Sequence, residues 1–111
     1  MTGLSILLNA KNGDYLHVEG EGSNPFMFDI IFKTIEDDKL IAHGSINASE
    51  SLSPYSNDVM PYTQTICEVD HLGLVRKCDQ NEIDNINYHF ERWGCPYDPV
   101  KGALKKEASR Y

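Results

Sequence analysis

Cys67, His71, Cys78, His89 and Cys95 place five metal-capable side chains within 29 residues, and thiolates with imidazoles are a donor set that suits zinc. Their spacing argues against such a site. No two thiols stand at the two-to-four-residue separation of a zinc knuckle. Cys67 and His71 lie on opposite sides of an expected turn, and His89 follows the apolar face of an expected helix. Buried or half-exposed thiols are the reading these cysteines support, with no metal and no cofactor expected.

Covalent catalysis needs a thiol or hydroxyl, a base and an orienting group brought together in space. The chain supplies three cysteines and four histidines, His17, His43, His71 and His89, but none sits in a local context that marks a nucleophile. It contains no Gly-x-Ser-x-Gly elbow, no glycine-rich phosphate loop and no His-Glu-x-x-His helix. His17 and His43 fall in expected strands and read as ordinary surface or core histidines. No catalytic residue is assigned. The enzymatic alternative is a small RNA-hydrolysing or small-molecule enzyme whose histidines and a carboxylate converge in a pocket without a linear motif.

The elements that would position these groups read as an α+β domain. Leu4–Leu8 and Tyr15–Glu19 flank Asn12-Gly13, a pair suited to a type I′ turn, and so predict a first hairpin. Phe26, Phe28, Ile30 and Phe32 alternate with Met27, Asp29, Ile31 and Lys33, which puts four large apolar groups on one sheet face. The acidic turn Glu36-Asp37-Asp38 leads into Leu40–Ile46, a second hairpin, and Tyr62–Val69 with Leu72–Lys77 around Asp70-His71 predicts a third. Asn47–Pro61, rich in serine and holding Pro54 and Pro61, reads as a long surface loop.

Asp79 and Glu82 form the two halves of a capping box, and Ile83, Ile86, Phe90 and Trp93 share one face before Gly94 ends the helix. Asp98-Pro99 reads as a cap and first residue of a short basic helix or tail over Val100–Arg110. The expected architecture is an antiparallel sheet of five to seven strands from residues 3–77 packed against a helix at 79–93. Its core is expected to comprise Ile6, Leu8, Phe28, Ile30, Phe32, Leu40, Ile66, Leu74, Ile83, Ile86, Phe90 and Trp93.

A chain of 111 residues with 41% hydrophobic content suits one domain, residues 1–111, with a core that needs no staples. Met1–Leu8 has no basic region ahead of its apolar run, and that run is too short for a leader core or a membrane span. With an odd number of irregularly spaced cysteines, this predicts a protein of the reducing cytoplasm.

The charge is laid down unevenly. Residues 1–75 carry eleven carboxylates against three lysines, whereas residues 76–111 carry six against seven basic groups. An acidic surface of this kind repels nucleic acid and anionic membrane and attracts basic proteins. Lys101, Lys105, Lys106 and Arg110 form the one basic cluster, adequate for a solvated face but not for a nucleic-acid footprint.

In size, charge and lack of catalytic motifs the whole chain resembles the small acidic bacterial immunity proteins of contact-dependent growth inhibition and other polymorphic toxin systems. That resemblance implies a stoichiometric inhibitor of one cognate basic toxin, commonly a nuclease domain, in the cytoplasm of the cell that makes it. The partner surface is expected on Glu36, Asp37, Asp38, Glu50, Tyr55 and Asp58, carboxylates steering the encounter and tyrosine anchoring it. A phage-encoded acidic inhibitor of a nucleic-acid-binding host complex, of the anti-CRISPR type, would carry the same charge. The rival surface is the basic side, Arg76, Lys77 and the tail from Lys101 to Arg110.

Overall fold

The computed structural model describes residues 1–23, 25–48 and 58–108. Its elements are helix α1 (Leu4–Leu8), strands β1 (Tyr15–Gly20), β2 (Met27–Glu36), β3 (Lys39–Asn47), β4 (Val59–Met60), β5 (Gln64–Glu68) and β6 (Leu72–Lys77), helix α2 (Gln80–Arg92), and a last pair β7 (Tyr97–Asp98) and β8 (Ala103–Leu104). The first six strands form one antiparallel sheet in the order β4-β3-β2-β1-β6, with β5 continuing β4 along the same side of β3. The expected α+β architecture, a six-stranded sheet followed by a helix, is therefore present. Among the described residues no helix is long and apolar enough to cross a membrane.

The sheet is curled rather than flat. Strands β5 and β6 lie at opposite edges, yet only the 3-10 turn Val69–His71 joins them. In a flat sheet those edges would stand roughly 19 Å apart, whereas the four steps from Glu68 to Leu72 reach at most about 14 Å. Irregularities in the β2–β3 register at Ile31–Thr34 provide the bend. The third expected hairpin is thus corrected: β5 pairs with β3 and β6 with β1, because closing the curl brings each to a strand distant in sequence.

The first expected hairpin is corrected as well. Leu4–Leu8 is a helix, so Leu7 rather than Leu8 turns inward, and Leu8 is 69% exposed. The strand period had paired Ile6 with Leu8; the helical period selects Leu7. Gly3 sets the entry angle at φ 89, where a β-carbon would lie 1.8 Å from the Val75 carbonyl oxygen. Thr2 bridges to β6 alongside it, through Thr2 N–H to Gly73 O and Val75 N–H to Thr2 O. At Asn12-Gly13 only Gly13 has positive φ, and the turn links a helix to a strand. The pair of positive φ values that defines a type I′ turn belongs instead to Asp37 and Asp38, at 51° and 59° between the paired Glu36 and Lys39.

Two apolar clusters hold the layers. Inside the curl, Leu7, Leu16, Val18, Ile30, Phe32, Leu40, Ala42, Leu72 and Val75 are buried, with Ile6, Phe28 and Ile66 packed at their margin. On the other face, Ile31, Ile46 and Val59 meet Ile86 and Phe90 of α2 together with Cys95 and Leu104. Helix α2 starts as expected: Asp79 accepts from Glu82 N–H and Glu82 accepts from Asp79 N–H, both at 2.9 Å.

The C-terminal end of α2 explains a miss. Cys95 N–H donates to Phe90 O and Gly94 N–H to Glu91 O, with Gly94 at φ 74, the Schellman arrangement. It folds Cys95 back onto Phe90 and leaves Trp93, expected in the core, 40% exposed. Of the other expected core residues, Ile30, Phe32, Leu40, Ile86 and Phe90 are buried, while Ile6, Phe28, Ile66, Leu74 and Ile83 are half-buried. Through residue 108 the expected basic helix is replaced by the β7–β8 hairpin. Asp98 Oδ1 accepts from the Val100 and Lys101 amides and Gly102 takes φ 71, so Asp98-Pro99 starts a tight turn instead of a helix.

Candidate functional site

The curl gathers acidic turns that are far apart in sequence. Val69 N–H donates to Asp38 O at 2.8 Å, tying the β5–β6 connection to the β2–β3 turn, and Glu21 N–H donates to His71 O at 2.9 Å, tying the β1–β2 connection to both. Lys39 stands opposite Glu68 in the β3–β5 ladder. The six carboxylates of Glu21, Glu36, Asp37, Asp38, Glu68 and Asp70 are all exposed there, against Lys39 and His71 as the basic side chains of the same turns. His71 Nε2 lies 3.8 Å from Glu68 Oε2, an exposed pair of little energetic weight.

Beside this rim, a recess of about 330 Å³ is lined by Glu19, Gly20, Pro25, Phe26, Met27, Phe28 and Asn47. Phe26 and Phe28 stack there with ring centroids 5.4 Å apart. Their rings supply apolar area next to the charged turns, the combination of rim and core that protein interfaces use.

Of the expected partner-binding residues, Glu36, Asp37 and Asp38 belong to this end. Asp58 lies by the recess instead: its carbonyl accepts from the N–H of Asn47, one of the recess residues, at the opposite end of β3 from the Asp37-Asp38 turn. Glu50 and Tyr55 lie outside the described residues. Glu21, Glu68 and Asp70 are part of the charge count but not of the expected site, since only the curled pairing brings them to the β5–β6 connection that is tied to the Asp37-Asp38 turn. On the rival side, Arg76 is committed to Glu82 and Lys101 Nζ donates to Leu104 O at 3.3 Å.

A second group of carboxylates is packed under α2. The cross-strand row Asp29–His17–Arg76 spans β2, β1 and β6, and Glu82 from the first turn of α2 closes over it. His17 Nδ1 is 2.7 Å from Asp29 Oδ1 and 3.7 Å from Glu82 Oε2, while His17 Nε2 is 2.7 Å from Glu19 Oε2. Arg76 donates to both Glu82 oxygens, at 2.7 and 2.8 Å. The His17 and Asp29 side chains are only 4% and 6% exposed.

Desolvation pushes the Asp29 carboxyl above its ordinary range, opposed by its hydrogen bond with His17. Glu82 is held down to about 2, chiefly by its hydrogen bonds from Arg76. The sequence reading took His17 as an isolated strand histidine and Glu82 as a helix cap. The available signal was His17-x-Glu19, two residues apart and therefore on one face of β1.

The thiols are spread. Cys67 and Cys78 are half-buried and Cys95 is buried, all three free. Burial pushes Cys67 up to about 11, and raises Cys78 and Cys95 too, which disfavours the nucleophilic thiolate. His17, Asp29 and Glu82 offer three metal-capable atoms within 4.8 Å of one another; the five residues weighed for zinc in the sequence contribute none of them.

Comparison of the chain with family models, curated proteins and solved structures finds no match.

Proposed function

We propose that this protein is a stoichiometric inhibitor of a basic protein, of the immunity kind: it binds a cognate toxin, a nuclease domain being the favoured class, and blocks its active or substrate-binding surface. The observation that carries the reading is the gathering of the exposed carboxylates Glu21, Glu36, Asp37, Asp38, Glu68 and Asp70 around the β5–β6 connection, which is hydrogen-bonded to the β2–β3 turn on one side and to the β1–β2 connection on the other. Like charges gathered on exposed turns oppose one another, so their arrangement brings no stability of its own. It suits the encounter with a positively charged groove, in which carboxylates stand where phosphates otherwise would. The Phe26–Phe28 recess beside them offers the apolar anchor that a slow-dissociating complex needs.

The test is co-expression with the product of the adjacent gene. Growth is rescued, and a catalytically inactive form of that product co-purifies with this chain one to one. Loss of both results removes the reading. Charge reversal of Glu68 and Asp70 to lysine is expected to lower the association rate at least tenfold at low salt and to flatten its salt dependence.

A further inference from the structure

We propose that His17, Asp29 and Glu82 form a binding site for one divalent transition-metal cation, Zn²⁺ in its chemistry, distinct from the acidic sheet end. His17 Nδ1, Asp29 Oδ1 and Glu82 Oε2 converge from β1, β2 and α2. Bonds of about 2.0–2.1 Å in a tetrahedral shell place ligand atoms roughly 3.3 Å apart. The observed separations from Nδ1, 2.7 and 3.7 Å, fall on either side of that value, and the two carboxylate oxygens lie within 4.8 Å of each other, so side-chain adjustments on the order of 1 Å complete three ligand positions.

The far side of the imidazole supplies an independent pointer. A metal-bound histidine almost always donates its other N–H to a carboxylate or carbonyl, which holds the ring and raises its basicity. Glu19 Oε2 stands 2.7 Å from His17 Nε2 and fills that position. Glu82 is likewise divided in function. Its Oε1 accepts from Arg76 Nη1 and from Asp79 N–H, so the helix cap and half of the ion pair persist when Oε2 turns to the cation.

The charge count agrees. Asp29, Glu19 and Glu82 bring three carboxylates around the buried His17, and Arg76 answers one of them. The two left over equal the charge of one divalent ion. The cation at Nδ1 takes the place of the proton shared between Nδ1 and Asp29 Oδ1, which leaves to solvent, while Nε2 stays on Glu19. One imidazole with two carboxylates fits Zn²⁺ better than Ca²⁺ or Mg²⁺, which favour all-oxygen shells.

The experiment uses the full chain after chelator treatment, titrated with Zn²⁺ against a chromophoric competitor and with Co²⁺ by visible absorption. One equivalent binds, Tm rises by roughly 10 °C at a free Zn²⁺ concentration a hundredfold above Kd, and Co²⁺ gives ligand-field bands without thiolate charge transfer. Glu19→Gln keeps the stoichiometry and weakens affinity 10–100-fold, the signature of an outer carboxylate. His17→Gln abolishes binding.

Histidine side-chain ¹⁵N spectra of the unaltered protein give a readout free of folding effects, because the His17 Nδ1 resonance moves to the metal-bound range on adding Zn²⁺. No binding by the parent chain, a thiolate charge-transfer band, or a His17 resonance unmoved at saturation overturns the assignment.

Discussion

The sheet carries two sets of carboxylates that its curl treats in opposite ways. At the turns, Glu21, Glu36, Asp37, Asp38, Glu68 and Asp70 are exposed, with Lys39 and His71 as the basic side chains among them. Under α2, Glu19, Asp29 and Glu82 are drawn around His17 and Arg76 at hydrogen-bond distances. The same side-chain chemistry is a long-range field in the first region and a local, low-dielectric network in the second. Removing a charge should therefore change association and salt response at the turn end, and folding under the helix.

The sharpest contrast is between Asp29→Ala and Asp70→Ala. Asp29→Ala strips a buried partner from His17 and is expected to cost about 3–5 kcal/mol, whereas Asp70→Ala on the exposed turn should stay within about 0.5 kcal/mol. Chemical denaturation of both variants decides it. Equal effects would mean that the His17 network is solvated and that the two regions are one kind of surface. The next contrast lies within α2. Phe90→Ala should cost about 3–5 kcal/mol and Trp93→Ala less than about 1 kcal/mol, since the Schellman turn gives Cys95 the inward place that helical period alone assigns to Trp93.

That helix shows where sequence patterns suffice and where they stop. The capping box at Asp79 and Glu82, the alternation of Phe26 through Phe32, and an acidic turn within Glu36-Asp37-Asp38 are local, and each forms as its residues imply. The expected strand at Leu4–Leu8 is a helix because a five-residue segment with four apolar residues fits either period, and docking of Gly3 on Val75 selects the helix. The pairing of β5 with β3 and β6 with β1 is set by curvature, which leaves no short-range pattern. Both candidate regions depend on that pairing. Glu68 beside Lys39 and Arg76 beside His17 are cross-strand neighbours distant in sequence, so charge could be counted from the chain but not located.

Acid should separate the regions further. Glu82, with its pKa down at about 2 in the folded state against an ordinary 4.5, contributes stability that is full above pH 4.5 and is lost as pH falls toward 2. After solvent screening this is worth about 1 kcal/mol, and Glu82→Gln should remove that part of the acid limb. His43 and His89, both buried with pKa lowered chiefly by desolvation, act higher: their contribution is full above the unfolded value of 6.5 and is lost as pH falls through their folded values. His89 Nδ1 has no hydrogen-bond partner among the described residues, so His89→Leu should flatten the fall in Tm below pH 6.5 without lowering stability at pH 8. A steeper fall would show that His89 gains rather than loses from protonation.

The smallest expected effect on folding is the most informative about binding. Asp37 and Asp38 hold φ values of 51° and 59° that non-glycine residues adopt at a cost, although aspartate and asparagine tolerate them better than most. Asn-Gly is the pair best suited to this turn, so Asp37→Asn with Asp38→Gly keeps the hairpin register and should stabilise the chain by about 0.5–1 kcal/mol. The same double change removes two of the six converging carboxylates. A partner steered by these turns should then associate more slowly at low salt, with dissociation nearly unaltered, even though the variant is the more stable protein. Stability and association moving in opposite directions would separate charge from fold in one variant. An association rate unchanged by the substitution would move the interface away from the turns, toward the exposed Tyr88 and Trp93 at the end of α2.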